Sequence, residues 1–310
     1  MHLEAGFSLW LGEICVLARM LIHGQTQAMI NPQDILDFEP HIRLSAFFGV
    51  FAMMAVSELL APRRALTVSK GLRWFSNLGI VALNTAIARV VLPMAPVAFA
   101  VLCAERGWGV LNLLEGPLWF EIVFAIVIMD FAIWLQHVMV HAIPVLWRLH
   151  RLHHADQDYD VTTGARFHPI EILLSLGIKF AVIALIGASP VAVLLFEVIL
   201  NAMAMFNHAN VRLPLGLDAV LRVLLVTPDF HRVHHSDQPF ETNSNFGFNL
   251  SIWDRVFGTY IAQPEHGHSG MTIGLDIFRD PAEQRLDKML TQPFRENVGD
   301  YAINRRDWKT

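Results

Sequence analysis

The chain has 310 residues, 54% of them hydrophobic and only 16% charged, with a mean hydropathy of +0.42. Soluble domains carry about a quarter charged residues, so this balance excludes an ordinary soluble domain and points to a membrane-embedded one. A net charge of −5 without a Lys/Arg tract excludes a broadly basic nucleic-acid binder, and two cysteines, Cys15 and Cys103, support neither a disulfide framework nor a thiolate metal site.

In chain order, Met1-His2-Leu3-Glu4 lacks the basic region of a cleavable signal peptide. Residues Phe7 to Ile22 form an apolar stretch broken by Glu13 and Arg19, suited to an interfacial helix or a first span. Gly24 to Pro40 is a polar segment, and Leu44 to Leu60 is of minimal spanning length, stopped by Pro62-Arg63-Arg64. Asn77 to Ala104 contains Asn84, Arg89, Pro93 and Pro96 and predicts a kinked or broken span. Pro117 to Gln136 is a strong span running into His137. Ile170 to Ala188 and Val191 to Phe206 flank the turn Gly187-Ala188-Ser189-Pro190, which predicts an antiparallel helical hairpin. After Tyr260 the pattern is that of a soluble tail. The expected organisation is an N-terminal segment over 1–42, transmembrane helices over 43–115, a catalytic domain over 116–262 and a polar tail over 263–310. The fold class is an all-α, multi-pass membrane helical bundle.

Charge predicts sidedness. Arg63, Arg64, Lys70 and Arg73 lie in one loop, whereas Glu105 to Gly116 carries only Arg106 and the hairpin tip carries no Lys or Arg. Positive residues stay cytoplasmic, so the Arg63 to Arg73 loop is expected there. Following the spans from it, His137, Arg148, Arg151, Arg166, His208 and His231 fall on the same membrane face.

Three histidine boxes carry the chemistry: His137-x-x-x-His141, His150-x-x-His153-His154 and His231-x-x-His234-His235. Spacings of three and four align the rings on one helix face, and neutral imidazole is the commonest protein ligand for mid-series metals. Eight nitrogens exceed the four that one tetrahedral zinc takes, so two metals side by side are expected. His208 and His168 are further candidate ligands, while His2, His23, His41, His266 and His268 lack ligand spacing to the boxes and read as surface residues. Asp130, Asp156 and Asp237 are candidates to orient the imidazoles. Lys179 and Glu197 lie at similar depth on the two arms of the hairpin and are expected to neutralise each other. The zinc-hydrolase motif H-E-x-x-H is absent, and Glu-x-x-His occurs once, at Glu265 and His268, so an all-imidazole site suited to redox iron is favoured, with zinc as a possible substitute. A membrane-embedded enzyme most easily reaches a lipid. A metal-binding membrane protein without catalysis, such as a zinc transporter or sensor, is the alternative.

Leu146-Trp147-Arg148-Leu149-His150-Arg151-Leu152-His153-His154, Tyr159-Asp160-Val161-Thr162-Thr163, Arg166-Phe167-His168-Pro169-Ile170-Glu171, His231-Arg232-Val233-His234-His235 and Trp253-Asp254-Arg255-Val256-Phe257-Gly258-Thr259 resemble the fatty acid hydroxylase/sterol desaturase superfamily in order and spacing. Val138 stands where that superfamily often has Arg. The resemblance implies a multi-pass non-haem di-iron oxidase that hydroxylates or desaturates a lipid with dioxygen. It implies that His137, His141, His150, His153, His154, His231, His234 and His235 hold the two iron ions and serve catalysis. It also implies a separate electron donor, such as a b-type cytochrome, ferredoxin or reductase.

Overall fold

The computed structural model describes residues 32–114, 116–295 and 301; the Phe7 to Ile22 segment, His2, His23 and Cys15 lie outside them. Among the described residues the chain is helical throughout, with three isolated β-bridges and no strand. Five segments are long and apolar enough to cross a membrane: 35–60, 70–113, 118–142, 169–186 and 190–207.

Helix α1 (Pro32–Leu60) begins twelve residues before the expected span. Proline is tolerated at the first helical position, and an i,i+4 ion pair between Glu39 and Arg43 at 2.6 Å supports the extension through the polar segment. Ser69 caps α2 (Lys70–Val91), accepting from the Leu72 amide. The long apolar run breaks where the two prolines predict, and α3 (Pro96–Arg106) restarts with Pro96 in its first turn. Helix α4 (Leu118–Ala142) continues through both histidines of the first box. Ile143 breaks it, and Pro144 opens α5 (Pro144–His154), which carries the second box. Helices α6 (Pro169–Ile186) and α7 (Pro190–Asn207) form the expected hairpin. Gly187 ends α6 with φ +71°, and a Cβ on Gly109 would sit 2.1 Å from the Gly187 amide nitrogen, so glycine is required where the α3–α4 connection crosses the turn. The short helices α8 (Leu215–Leu221) and α9 (Pro228–His234) follow, the second bearing the third box.

The apolar core lies between α3, α4, α6 and α7, with Val97, Ala100, Ala125, Met129, Ile183 and Phe196 buried together. Among the described residues the segment after Tyr260 contains no candidate span, and it packs on the bundle. Leu275 and Tyr301 pack on Trp147, Met289 packs on Ile80 and Leu152, and Met271 and Ile273 pack on Tyr159. The tail's polar residues mask enough alternating apolar side chains to cover the histidine-bearing layer.

Lys179 bonds Glu197 across the hairpin, as expected, and Arg43 of α1 also reaches Glu197 at 3.5 Å. Glu197 therefore neutralises two cations and ties three helices. Leaving one member of a buried pair alone costs about 3–5 kcal/mol. Lys179→Leu is expected to lower stability less than Glu197→Leu, because Arg43 remains with Glu197 in the first variant, whereas the second orphans Lys179 and leaves Arg43 only Glu39. In Lys179→Leu/Glu197→Leu, Arg43 keeps Glu39, so the double variant should be the more stable of the two Glu197 variants. Thermal unfolding in detergent checks the order, and equal losses in all three would exclude the shared network.

Candidate metal centre

Each box is presented by a helix end. His137 and His141 lie one turn apart in the last two turns of α4, His150, His153 and His154 end α5, and His231 and His234 lie on α9 with His235 as its C-cap. His208 is the C-cap of α7. These four ends meet, and the nine rings form two adjacent groups. His137, His141, His150, His154 and His234 make one, and His153, His208, His231 and His235 make the other. Ligand atoms within each group lie within 4.8 Å of one another. All nine rings are buried, none more than 7% exposed.

His168 falls outside both groups. Its Nδ1 accepts from the Ile170 amide and caps α6, which is the use a residue before Pro-Ile offers in place of ligation. His41 and His266 are exposed, as expected, but His268 is buried, with its Nε2 3.6 Å from Asp229, which corrects its surface assignment. Glycine is needed beside the second group as well. A Cβ on Gly164 would lie 2.4 Å from the Ala204 carbonyl oxygen and 3.0 Å from His208 Nδ1.

The hydrogen bonds of five rings set which nitrogen is free. His137 Nδ1 donates to the Phe246 carbonyl (2.8 Å), His208 Nδ1 to the Ala204 carbonyl (2.8 Å) and His234 Nδ1 to the Ser244 carbonyl (2.7 Å). A carbonyl only accepts, so each of these rings carries its proton on Nδ1 and turns the lone pair of Nε2 inward. His150 Nδ1 meets Glu171 Oε1 at 2.6 Å, and His141 Nδ1 meets Asn243 Oδ1 at 3.1 Å. The Asn243 amide is oriented by donation from its nitrogen to the Pro239 and Tyr301 carbonyls. Consequently Nε2 of His137 and Nε2 of His150 face each other at 3.2 Å with both lone pairs inward.

That arrangement tests whether metal fits. Two lone pairs at contact repel unless a cation lies between them. The inward nitrogens of His141, His154, His231, His234 and His235 find no hydrogen-bond partner either, and each such buried atom costs about 1–3 kcal/mol if left unsatisfied. Metal–imidazole bonds of about 2.1 Å put opposed ligand atoms about 4.2 Å apart, a span each group accommodates. Burial first, and repulsion among neighbouring rings second, drives His153, His154, His231 and His235 well below the ordinary imidazole range. Burial likewise takes His208 down to about 4. The rings are held neutral, the form that ligates.

The aspartates expected to orient the rings do other work. Asp130 accepts from the Trp253 indole (2.8 Å) and the Leu250 amide (3.3 Å), and Asp237 from Gln238. Asp156 takes two bonds from Arg73, at 2.6 and 2.9 Å; burial alone would raise its pKa, but Arg73 and Arg166 hold it down at about 2. Arg73 also bonds Asp160 (2.7 Å), and Arg166 bonds the Leu152 carbonyl (2.9 Å), so this wholly buried network anchors the end of α5 that carries His153 and His154. The orienting groups that sequence reading missed are Glu171, Asn243 and three carbonyls. Only Glu171 left a signal, an acidic residue in the first turn of a helix opened by His168-Pro169.

Residues 122–259 match the model of the fatty acid hydroxylase family. The chain is 33% identical over 180 residues to the ornithine lipid hydroxylase of Rhizobium tropici, covering 58% of this chain and 52% of that protein. It is 32% identical over 150 residues to human alkylglycerol monooxygenase (48% of this chain, 32% of that protein). It is 24% identical over 142 residues to human cholesterol 25-hydroxylase (45% and 50%). The chain thus spans about half or less of the length of these relatives, and no solved structure matches it. Residues 122–259, which include all nine clustered histidines, are thus similar to the fatty acid hydroxylase family.

Proposed function

We propose that this chain is a membrane-bound, non-haem di-iron oxidase that hydroxylates a lipid, with residues 116–262 as its catalytic domain. The observation that carries the reading is the opposed pair of His137 and His150 lone pairs within two adjoining all-imidazole groups. Five rings are assigned to one iron and four to the other, with His208 completing the second set and His168 left as a helix cap. The relatives, an ornithine lipid hydroxylase, an alkylglycerol monooxygenase and a cholesterol 25-hydroxylase, favour hydroxylation over desaturation and a lipid as substrate.

Iron bound there supplies activation of dioxygen for attack on an unactivated C–H bond. The protein's own part is to bind, orient and exclude water. The Phe246, Ala204 and Ser244 carbonyls, Asn243 and Glu171 fix five rings by their outer nitrogens. The Phe167 ring stacks on His153 at 4.6 Å and Trp147 lies 4.9 Å from His141, so apolar rings wall the centre from water. We assign the centre to the cytoplasmic membrane face and supply of electrons to a separate donor protein. The charge asymmetry supports the sidedness, although the loop's cations are also used internally: Arg63 pairs with Asp229 and Arg73 with Asp156.

Three outcomes are expected. The purified protein carries two iron ions per chain by elemental analysis, and cells expressing it accumulate a lipid heavier by one oxygen atom that is absent with His153→Ala. Bound metal without any altered lipid would instead support a non-catalytic zinc transporter or sensor. Glu171→Ala lowers metal affinity or activity about 10–100-fold, while Glu171→Gln, which keeps an acceptor for His150, loses less; equal losses would remove the orienting role. Finally, the metal-free protein loses stability as the pH falls below about 6.5, where the unfolded chain takes up protons that the buried rings refuse. Metal loading should raise the melting temperature above about pH 6.5 and leave the onset of that loss in place, as melting curves at several pH values would show.

A further inference from the structure

Outside the five spans, the segment from Leu215 to Leu225 and the one from Ile252 to Phe257 lie side by side. The Ser251 amide donates to the Leu224 carbonyl (3.0 Å), and Arg255 donates to the Arg222 carbonyl (2.9 Å). Their polarity is inverted. Asp218, Arg222 and Thr227 are buried, with Thr227 donating to Asp218 at 2.5 Å and Arg222 to the Ala262 carbonyl at 2.9 Å. The large apolar side chains point outward: Leu215 is 81% exposed, Val220 71%, Val223 66%, Val256 64% and Phe257 52%. A surface that hides its charges and presents its aliphatic groups is stable against an apolar medium, not against water.

The depth of the surface identifies that medium. Phe257 stacks on Trp134 of α4 at 4.6 Å, and Trp253 packs on Phe131 at 5.0 Å while bonding Asp130. Exposed Trp119 and Phe120 mark the opposite end of α4 as a membrane boundary. From Leu118 to Trp134 the helix rises about 24 Å, less than the roughly 30 Å of a hydrocarbon core. The stacked rings therefore lie inside the apolar slab, and the exposed face beside them is continuous with the lipid-facing side of α4. We infer that the Leu215–Leu225 and Ile252–Phe257 segments form a ledge embedded in the acyl region of the leaflet on the histidine side, with lipid chains as its occupant. The inference goes beyond the assigned reaction and holds whatever the centre does. Through Asp254, which accepts from the Phe246 and Gly247 amides (2.9 and 2.6 Å), the ledge adjoins the carbonyl that orients His137. It thereby sets the depth of the centre at the bilayer boundary.

The test uses the full chain carrying Cys15→Ser and Cys103→Ala, labelled with an environment-sensitive fluorophore at Val220→Cys, Val256→Cys or, as a control, Asp287→Cys, whose native side chain is 59% exposed. Each protein is reconstituted into phosphatidylcholine vesicles with or without lipids spin-labelled near the top of the acyl chain. Labels at 220 and 256 should emit at blue-shifted wavelengths and be quenched several-fold more than the label at 287. Water-like emission at 220 and 256 would overturn the ledge. So would blue-shifted emission that no spin-labelled lipid quenches, which would mean that a second copy or the segment before Pro32 covers the face. Because both exposed positions tolerate a label without disturbing packing, retained metal content reports that each variant is folded.

Discussion

Nine buried imidazoles share one small volume, and the inner nitrogens of His141, His154, His231, His234 and His235 find no hydrogen-bond partner. Outer hydrogen bonds to carbonyls, an amide and a carboxylate commit several rings to presenting lone pairs inward, and His137 and His150 do so at contact distance. Cations in the two groups would relieve the repulsion between those lone pairs, provided that the four helix ends are held in register. Much of the remaining architecture serves that register. The break at Ile143 turns α5 back beside α4, the hairpin returns His208 to the same level, and the C-terminal segment covers the layer.

Several buried charges are paired, and some of the pairs join elements remote in sequence. Arg73 links α2 to the loop after α5, and Glu197 links α7 to α6 and α1. Glu58, near the end of α1, accepts from the Val161 and Asn210 amides and ties that end to both sides of the second ligand group. The cost of isolating any of these groups makes the helix arrangement specific as well as stable. The exposed ledge follows the complementary rule, with apolar groups outward where the medium is apolar.

Much was legible in the sequence because it depended on local periodicity and composition. Apolar runs located the spans, prolines located the break after Val91, and the three- and four-residue spacings located the boxes. The long-range Lys179–Glu197 pair was also legible, because a short turn makes depth along a hairpin a matter of counting. The packing of the tail was not legible because its apolar residues are scattered among polar ones, and their burial depends on a surface built from α5 and α2. His268 was misread for the same reason.

The sequence alone determined the residue types and spacings from which a metal centre can be built: imidazoles in helical register, ends of apolar helices to carry them, and the resemblance that framed them. Only the tertiary structure decided how the nine rings divide, five and four, and that His208 joins them while His168 caps a helix. It also decided that Glu171, Asn243 and backbone carbonyls, rather than the nearby aspartates, orient the rings. The physical reason is that a ligand set requires lone pairs to converge in space from four separate helix ends. A carbonyl's role as acceptor leaves no trace in side-chain identity, and a carboxylate's role is set by whichever cation folding brings within reach.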